Sequence, residues 1–153
     1  MPYSPMHSCN ICPRNCGIDR TKHLGYCGVQ DTLKVNLATR HFGEEPPITG
    51  TRGSGTIFLS GCNLRCVFCQ NYDISTNCWG KDITIDELVH LMLNLQKEGA
   101  HNINLVTPTH FTPQLREVIL QAKKEGLAIP IVWNSSAYEK VETLQSLNGI
   151  VDI

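Results

Sequence analysis

The sequence of 153 residues carries almost no net charge: 13 Lys and Arg against 14 Asp and Glu leave −1. Without an excess of either sign there is no broad electrostatic footprint for nucleic acid or for an anionic lipid surface, and neither is expected as a partner. No run approaches the roughly 18 apolar residues of a membrane span. Met1 to Ser8 hold no apolar stretch behind a basic start, so a cytoplasmic protein is expected. Gly53-Ser54-Gly55 lacks the lysine and the strand-then-helix setting of a phosphate loop. Histidines and carboxylates are scattered without the spacing of a Ser/His/Asp triad, so hydrolase chemistry has no support. Only 18% of the residues are charged and 41% are apolar, the balance of a chain that folds around a core.

What the sequence has in excess is cysteine, eight in all, in two groups: Cys9, Cys12, Cys16 and Cys27, then Cys62, Cys66, Cys69 and Cys78. In a chain read as cytoplasmic, such thiols point to metal before disulfides. Between the groups, Gly43 to Gly55 is rich in Gly, Pro and charge and reads as a connector, so residues 1–55 form a Cys-rich N-terminal segment and 56–153 the main domain.

From Thr56 a βα alternation sets in. Thr56 to Ser60 is a β-type run that ends at Gly61. Ile85, Leu88, Leu91, Met92 and Leu95 then recur at helical spacing behind a Thr84/Glu87 capping box, with Gly99 placed to stop the helix. Ile103 to Val106 reads as a second strand, and Thr112-Pro113 as the N-cap and first residue of a second helix. Ile129 to Trp133, the cap pair Ser136 and Glu139, and Ile150 to Ile153 complete a third cycle and a fourth strand. The expected class is α/β, with four parallel strands and crossover helices packed outside them. Closed barrels of this kind take about 250 residues, and about 100 follow Gly55. The expectation is therefore half a barrel whose last strand leaves an edge open, either cut from a longer protein or covered by another copy.

Chemistry concentrates in Cys62-Asn63-Leu64-Arg65-Cys66-Val67-Phe68-Cys69, a C-x3-C-x2-C run directly after a strand. Three thiolates on one loop can hold an iron–sulfur cluster and leave one iron open to a small molecule, since such clusters ordinarily take four protein thiolates. A structural zinc site that borrows a distant fourth ligand is the alternative. The stretch Gly61 to Asp73 resembles the radical S-adenosylmethionine (SAM) proteins, in particular the activating enzymes of pyruvate formate-lyase and their relatives. The resemblance implies that Cys62, Cys66 and Cys69 hold a 4Fe-4S cluster, that SAM chelates the open iron, and that an electron from the cluster cleaves SAM to a 5′-deoxyadenosyl radical. It also implies an electron donor such as flavodoxin or ferredoxin, and a substrate that is a small molecule or a partner enzyme. Phe68 is implied near the adenine, and Asn71 and Asp73 match a short Asn-x-Asp run.

The sequence departs from that family after the second strand, where a Gly-Gly-Glu-Pro run is common and Thr107-Pro108-Thr109-His110 stands here. Thr107 and Thr109, with Asn134 and Ser136 after the third strand, are the remaining SAM-binding candidates. The N-terminal group, Cys9-x2-Cys12-x3-Cys16 followed by Cys27, is a candidate second metal site. Zinc or a further iron–sulfur cluster suits four thiolates, and free thiols or reversible disulfides are the alternatives. Cys78 reads as a small buried hydrophobe.

Overall fold

The computed structural model describes residues 5–153; residues 1–4, on which half of the leader reading falls, lie outside the described residues. Among the described residues no helix is long and apolar enough to cross a membrane. One open sheet of five strands organises the chain: β1 (Lys34–His41), β2 (Ser54–Leu59), β3 (Lys81–Asp82), β4 (Ile103–Val106) and β5 (Ile131–Asn134), in the order β3-β1-β2-β4-β5. The helices are α1 (Pro46–Thr49), α2 (Tyr72–Ser75), α3 (Ile85–Lys97), α4 (Thr112–Lys124) and α5 (Val141–Gln145).

The expected four parallel strands give way to a mixed sheet. β2, β4 and β5 are parallel, from Gly55↔Ile103 to Phe58↔Val106 and from Ile103↔Ile131 to Val106↔Asn134. β1 runs antiparallel to β2 and covers the edge that a purely parallel sheet would leave open, while β3 adds two residues against β1. β1 escapes a pattern reading because its register shifts between Val35 and Leu37 and Leu37 is left half exposed, which blurs the two-residue period. The expected connector holds α1 and the first two residues of β2.

The last strand is also corrected. Ile150 and Val151 hydrogen-bond back to Leu147, and only the next two residues reach β5. The Trp133 amide donates to the Ile153 carbonyl and the Ile153 amide to that of Ile131, the exchange of a parallel pair about Val132. β5 begins two residues later than its apolar run because the Gln96 side chain takes the Ala128 and Ile129 amides and Pro130 has none to give.

α3 matches the sequence pattern. The Glu87 amide donates to Thr84 Oγ1, while the Thr84 amide and hydroxyl donate to the Glu87 carboxylate and hold that carboxyl below its ordinary pKa. α4 starts one residue early: Phe111 caps it, and Thr112, already helical, donates to the Thr109 carbonyl across a 3-10 turn. The Ser136/Glu139 cap pair does not form; α5 follows Lys140, with no side-chain cap bond.

Leu88, Met92, Leu115 and Ile119 bury one face of α3 and α4 against Ile57, Leu59, Ile103, Leu105 and Ile131 of the parallel strands. At about 1.5–3 kcal/mol per fully buried large apolar side chain, this layer fixes the sheet. Strand alternation turns the intervening residues, Phe58, Asn104, Val106, Val132 and Asn134, to the opposite face. Because the three strands are parallel, their carboxyl ends gather on one side, and the chemistry lies there.

Candidate functional site

β2 ends at Leu59, and Gly61, with φ +85°, turns the chain into the cysteine loop. Cys62 is buried, its amide donating to the Cys27 carbonyl at 3.1 Å. Arg65 adopts φ +56° and folds the loop back, so that the Leu64 and Arg65 amides point at Cys62 Sγ from 3.4 and 3.5 Å. Ser75 of α2 donates to Cys69 Sγ at 3.3 Å. Donors aimed at sulfur are what a cluster-bound thiolate accepts, and they tune such clusters.

Cys62, Cys66 and Cys69 line one cavity of about 210 Å³ at the carboxyl ends of β2, β4 and β5. Phe58, Val106 and Ile74 supply its apolar wall, and Asn71, Ser75, Thr107, Asn134, Ser135 and Ser136 its polar one. Four of the SAM-binding candidates, Asn71, Thr107, Asn134 and Ser136, are thus brought together with the three cysteines from three separate stretches of chain. The other three do not line it. Phe68 is 87% exposed beside Val67, Asp73 is exposed and accepts from Asn77 Nδ2, and Thr109 is buried with its hydroxyl donated to Glu139.

Two features escaped the sequence reading. Ser135 lines the cavity beside the two neighbours that were named. Asn104, two residues before Val106 on the same face, is fully buried with neither end of its amide hydrogen-bonded, and a lone amide within Ile103–Val106 was its signal. A larger cleft of about 730 Å³ lies between the N-terminal segment and the outer helices, lined by Ile11, Pro113, Arg116 and Val141 among others, but none of the cysteines face it.

The N-terminal segment packs against the cysteine loop. Arg14 donates to the Asn63 and Leu64 carbonyls and lies 3.8 Å above the Tyr26 ring. Arg65 bonds the Tyr26 carbonyl. Of the N-terminal thiols, Cys9, Cys12 and Cys27 are buried and Cys16 is partly so. Burial pushes the Cys27 thiol up, against the opposing pull of the Arg20 guanidinium, and Cys27 sits 3.9 Å from the Val29 carbonyl as a weak donor. Among the described residues no three His, Cys, Asp or Glu side chains are grouped to hold a metal ion. The second metal site expected from the N-terminal spacing is therefore unsupported. Nor are Cys62, Cys66 and Cys69 grouped in that way. A cubane poses a different demand, because each thiolate binds its own iron and the sulfurs need not meet at one point. Three cysteines around one cavity, with amide and hydroxyl donors on two of the sulfurs, fit a 4Fe-4S cluster.

Beneath the loop, His110 is fully enclosed, Nε2 lying 2.9 Å from the Ser60 carbonyl, while Arg20 donates to the His110 carbonyl. Burial above all, with a smaller push from Arg20, holds its pKa down to about 3, against the raising effect of the Ser60 bond. An unfolded chain takes up this proton below about pH 6.5 while the folded one refuses it until about pH 3, so stability falls as pH drops through that window. The loss between pH 7 and pH 5 is expected to be on the order of 2 kcal/mol. Thermal melts across that range should show the slope in the native chain and a flatter one in His110→Gln. Equal slopes would remove His110 as the cause.

Residues 56–153 match the sequence profile of the radical SAM superfamily. Over 153 aligned residues the chain is 31% identical to the uncharacterized protein MJ0674 of Methanocaldococcus jannaschii, an alignment covering 95% of this chain and 44% of that protein. It is 24% identical over 156 residues to the uncharacterized protein MJ0808 of the same organism, covering 91% of this chain and 46% of that one. The chain thus spans less than half the length of these curated relatives. No solved structure matches it.

Proposed function

From the chain's membership of the radical SAM superfamily, we propose that it is a SAM-cleaving iron–sulfur protein of the activating-enzyme type. Cys62, Cys66 and Cys69 hold a 4Fe-4S cluster, and SAM occupies the adjoining cavity. The observation that carries this reading is the convergence of those three thiols with Asn71, Thr107, Asn134 and Ser136 on one cavity. When bound, the cluster supplies the electron that splits the sulfonium; the protein supplies binding, orientation and exclusion of water. Phe58, Leu59, Ile74 and Val106 make the dry side of that cavity, while the amide and hydroxyl groups opposite orient the ligand. Cys62 is held by the Leu64 and Arg65 amides and Cys69 by Ser75, which fixes two of the three anchors before the cluster is loaded.

A flavodoxin or ferredoxin as electron donor and a partner enzyme as hydrogen source belong to the same proposal. So does self-association through the open edge of the sheet. Anaerobic reconstitution with iron and sulfide, followed by SAM and dithionite, is expected to release 5′-deoxyadenosine. A loaded cluster that forms none would make the chain a cluster-binding protein without turnover.

A further inference from the structure

The wall of the cavity formed after β5 is organised by a residue that does not touch the cavity. Glu139 Oε1 accepts from Thr109 Oγ1 and from Trp133 Nε1, both at 2.8 Å, and Oε2 accepts from Ser135 Oγ at 3.0 Å. One carboxylate thereby ties the loop after β4 to β5 and to the loop that follows β5. No salt bridge among the described residues neutralises it: the neighbouring Lys140 is spent on the Asn10 carbonyl and on Asn15. The next residue back, Tyr138, accepts from Asn63 Nδ2 in the cysteine loop at 2.7 Å. The segment 134–139 is thus anchored on both sides of the cavity, and Glu139 is half buried within it.

The polarity of these bonds has a chemical consequence. A serine hydroxyl has one proton and two lone pairs. Ser135 gives its proton to Glu139 and takes the Ala137 amide on one lone pair, at 3.1 Å. Ser135 lines this cavity, and its oxygen keeps a second lone pair while its proton is drawn toward a carboxylate. Such an oxygen is an acceptor only, and a strengthened one.

We propose that Glu139 is a positioning residue that acts through Ser135, presenting the Ser135 oxygen to the cavity as a fixed acceptor for an N–H or O–H donor of the bound ligand. The inference rests on the reading of that cavity as the SAM site. A glutamine at 139 reverses the arrangement. Trp133 Nε1 is a donor only, so the amide oxygen must face it and Thr109, leaving the amide N–H₂ toward Ser135. The serine then accepts from the amide, and its own proton turns toward the cavity as a donor.

The test is equilibrium binding of SAM to the full chain after anaerobic reconstitution with iron and sulfide, in the native protein, Glu139→Gln, Ser135→Ala and the double variant, with iron content and melting temperature recorded. Each single variant is expected to weaken SAM about tenfold, the size of one lost hydrogen bond to a polar or charged group, with iron content unchanged. The double variant is expected to bind no more weakly than the singles, because both remove the same acceptor. An unchanged affinity in Ser135→Ala, or losses that add in the double variant, would overturn the proposal and leave Glu139 as a loop fastener only. Should Glu139→Gln fail to fold, Ser135→Ala alone decides. A native protein that takes up iron and sulfide but binds no SAM would overturn the reading of the cavity, and this inference with it; affinity lost only in the variants would leave that reading standing.

Discussion

Cys66→Ala protein, reconstituted anaerobically with iron and sulfide, is expected to form no stable four-iron cluster and no 5′-deoxyadenosine above background, while melting within a few degrees of the native chain. The asymmetry follows from where the sulfur stands. Cys66 is half exposed on a loop, with its side chain on the cavity and outside the apolar core, so truncating it removes a ligand without opening a hole. Surface changes of that kind usually cost within about 0.5 kcal/mol. Cys69→Ala should behave alike. Cys62→Ala should lose the cluster and some stability too, since Cys62 is buried and its sulfur takes two amides. Cys78→Ala is the control. Its thiol lies off the cavity, near the Cys27 and Thr76 carbonyls, and burial raises its pKa. Iron and acid-labile sulfide per chain decide the matter: a full cluster in Cys66→Ala would remove that residue from the ligand set.

The second large effect is expected at Gly61, where alanine should cost about 2–5 kcal/mol and impair cluster loading as well. Two independent penalties meet there. The backbone stands at φ +85°, a region that costs an L-residue roughly 1–2 kcal/mol. A Cβ would also lie 2.7 Å from the Cys27 carbonyl oxygen and about 3.1 Å from the Val29 side chain, an overpacking worth roughly 1–3 kcal/mol. The oxygen is backbone, and it already accepts the Cys62 amide, so the clash can be relieved only by parting the N-terminal segment from the cysteine loop. Gly126→Ala, at φ +108° with nothing near its Cβ, bears the backbone penalty alone and separates the two contributions. Chemical denaturation of both variants, with iron content, tests this; equal stability losses would show that the contact at Gly61 is soft.

Those two residues also mark where the sequence was and was not legible. C-x3-C-x2-C after a β-type run could be read directly, because it lies within eight consecutive residues and local spacing carries it. α3 was equally plain, since its cap, its apolar stripe and its stop are all local. β2 and β4 were found as short apolar runs. What failed was non-local. β1 has a pairing partner only through the fold, and its bulge breaks the alternation. Glu139 has the spacing of a cap residue three positions after Ser136, yet the Trp133 indole and the Thr109 hydroxyl, far apart in sequence, draw its carboxylate elsewhere. Asn71, Thr107, Asn134 and Ser136 were named from a resemblance, and their shared cavity depends on the three parallel strands ending together. The packing of Cys27 against Gly61 depends on the course of a whole segment, which no short pattern encodes.

The central claim is that the cluster held by Cys62, Cys66 and Cys69 keeps one iron free for SAM. Electron paramagnetic resonance of the dithionite-reduced, reconstituted chain, recorded with and without SAM, tests it most directly. The account predicts that the spectrum changes when SAM is added to the native protein, and that no such signal exists to change in Cys66→Ala. A reduced four-iron spectrum identical in the presence and absence of saturating SAM would contradict it.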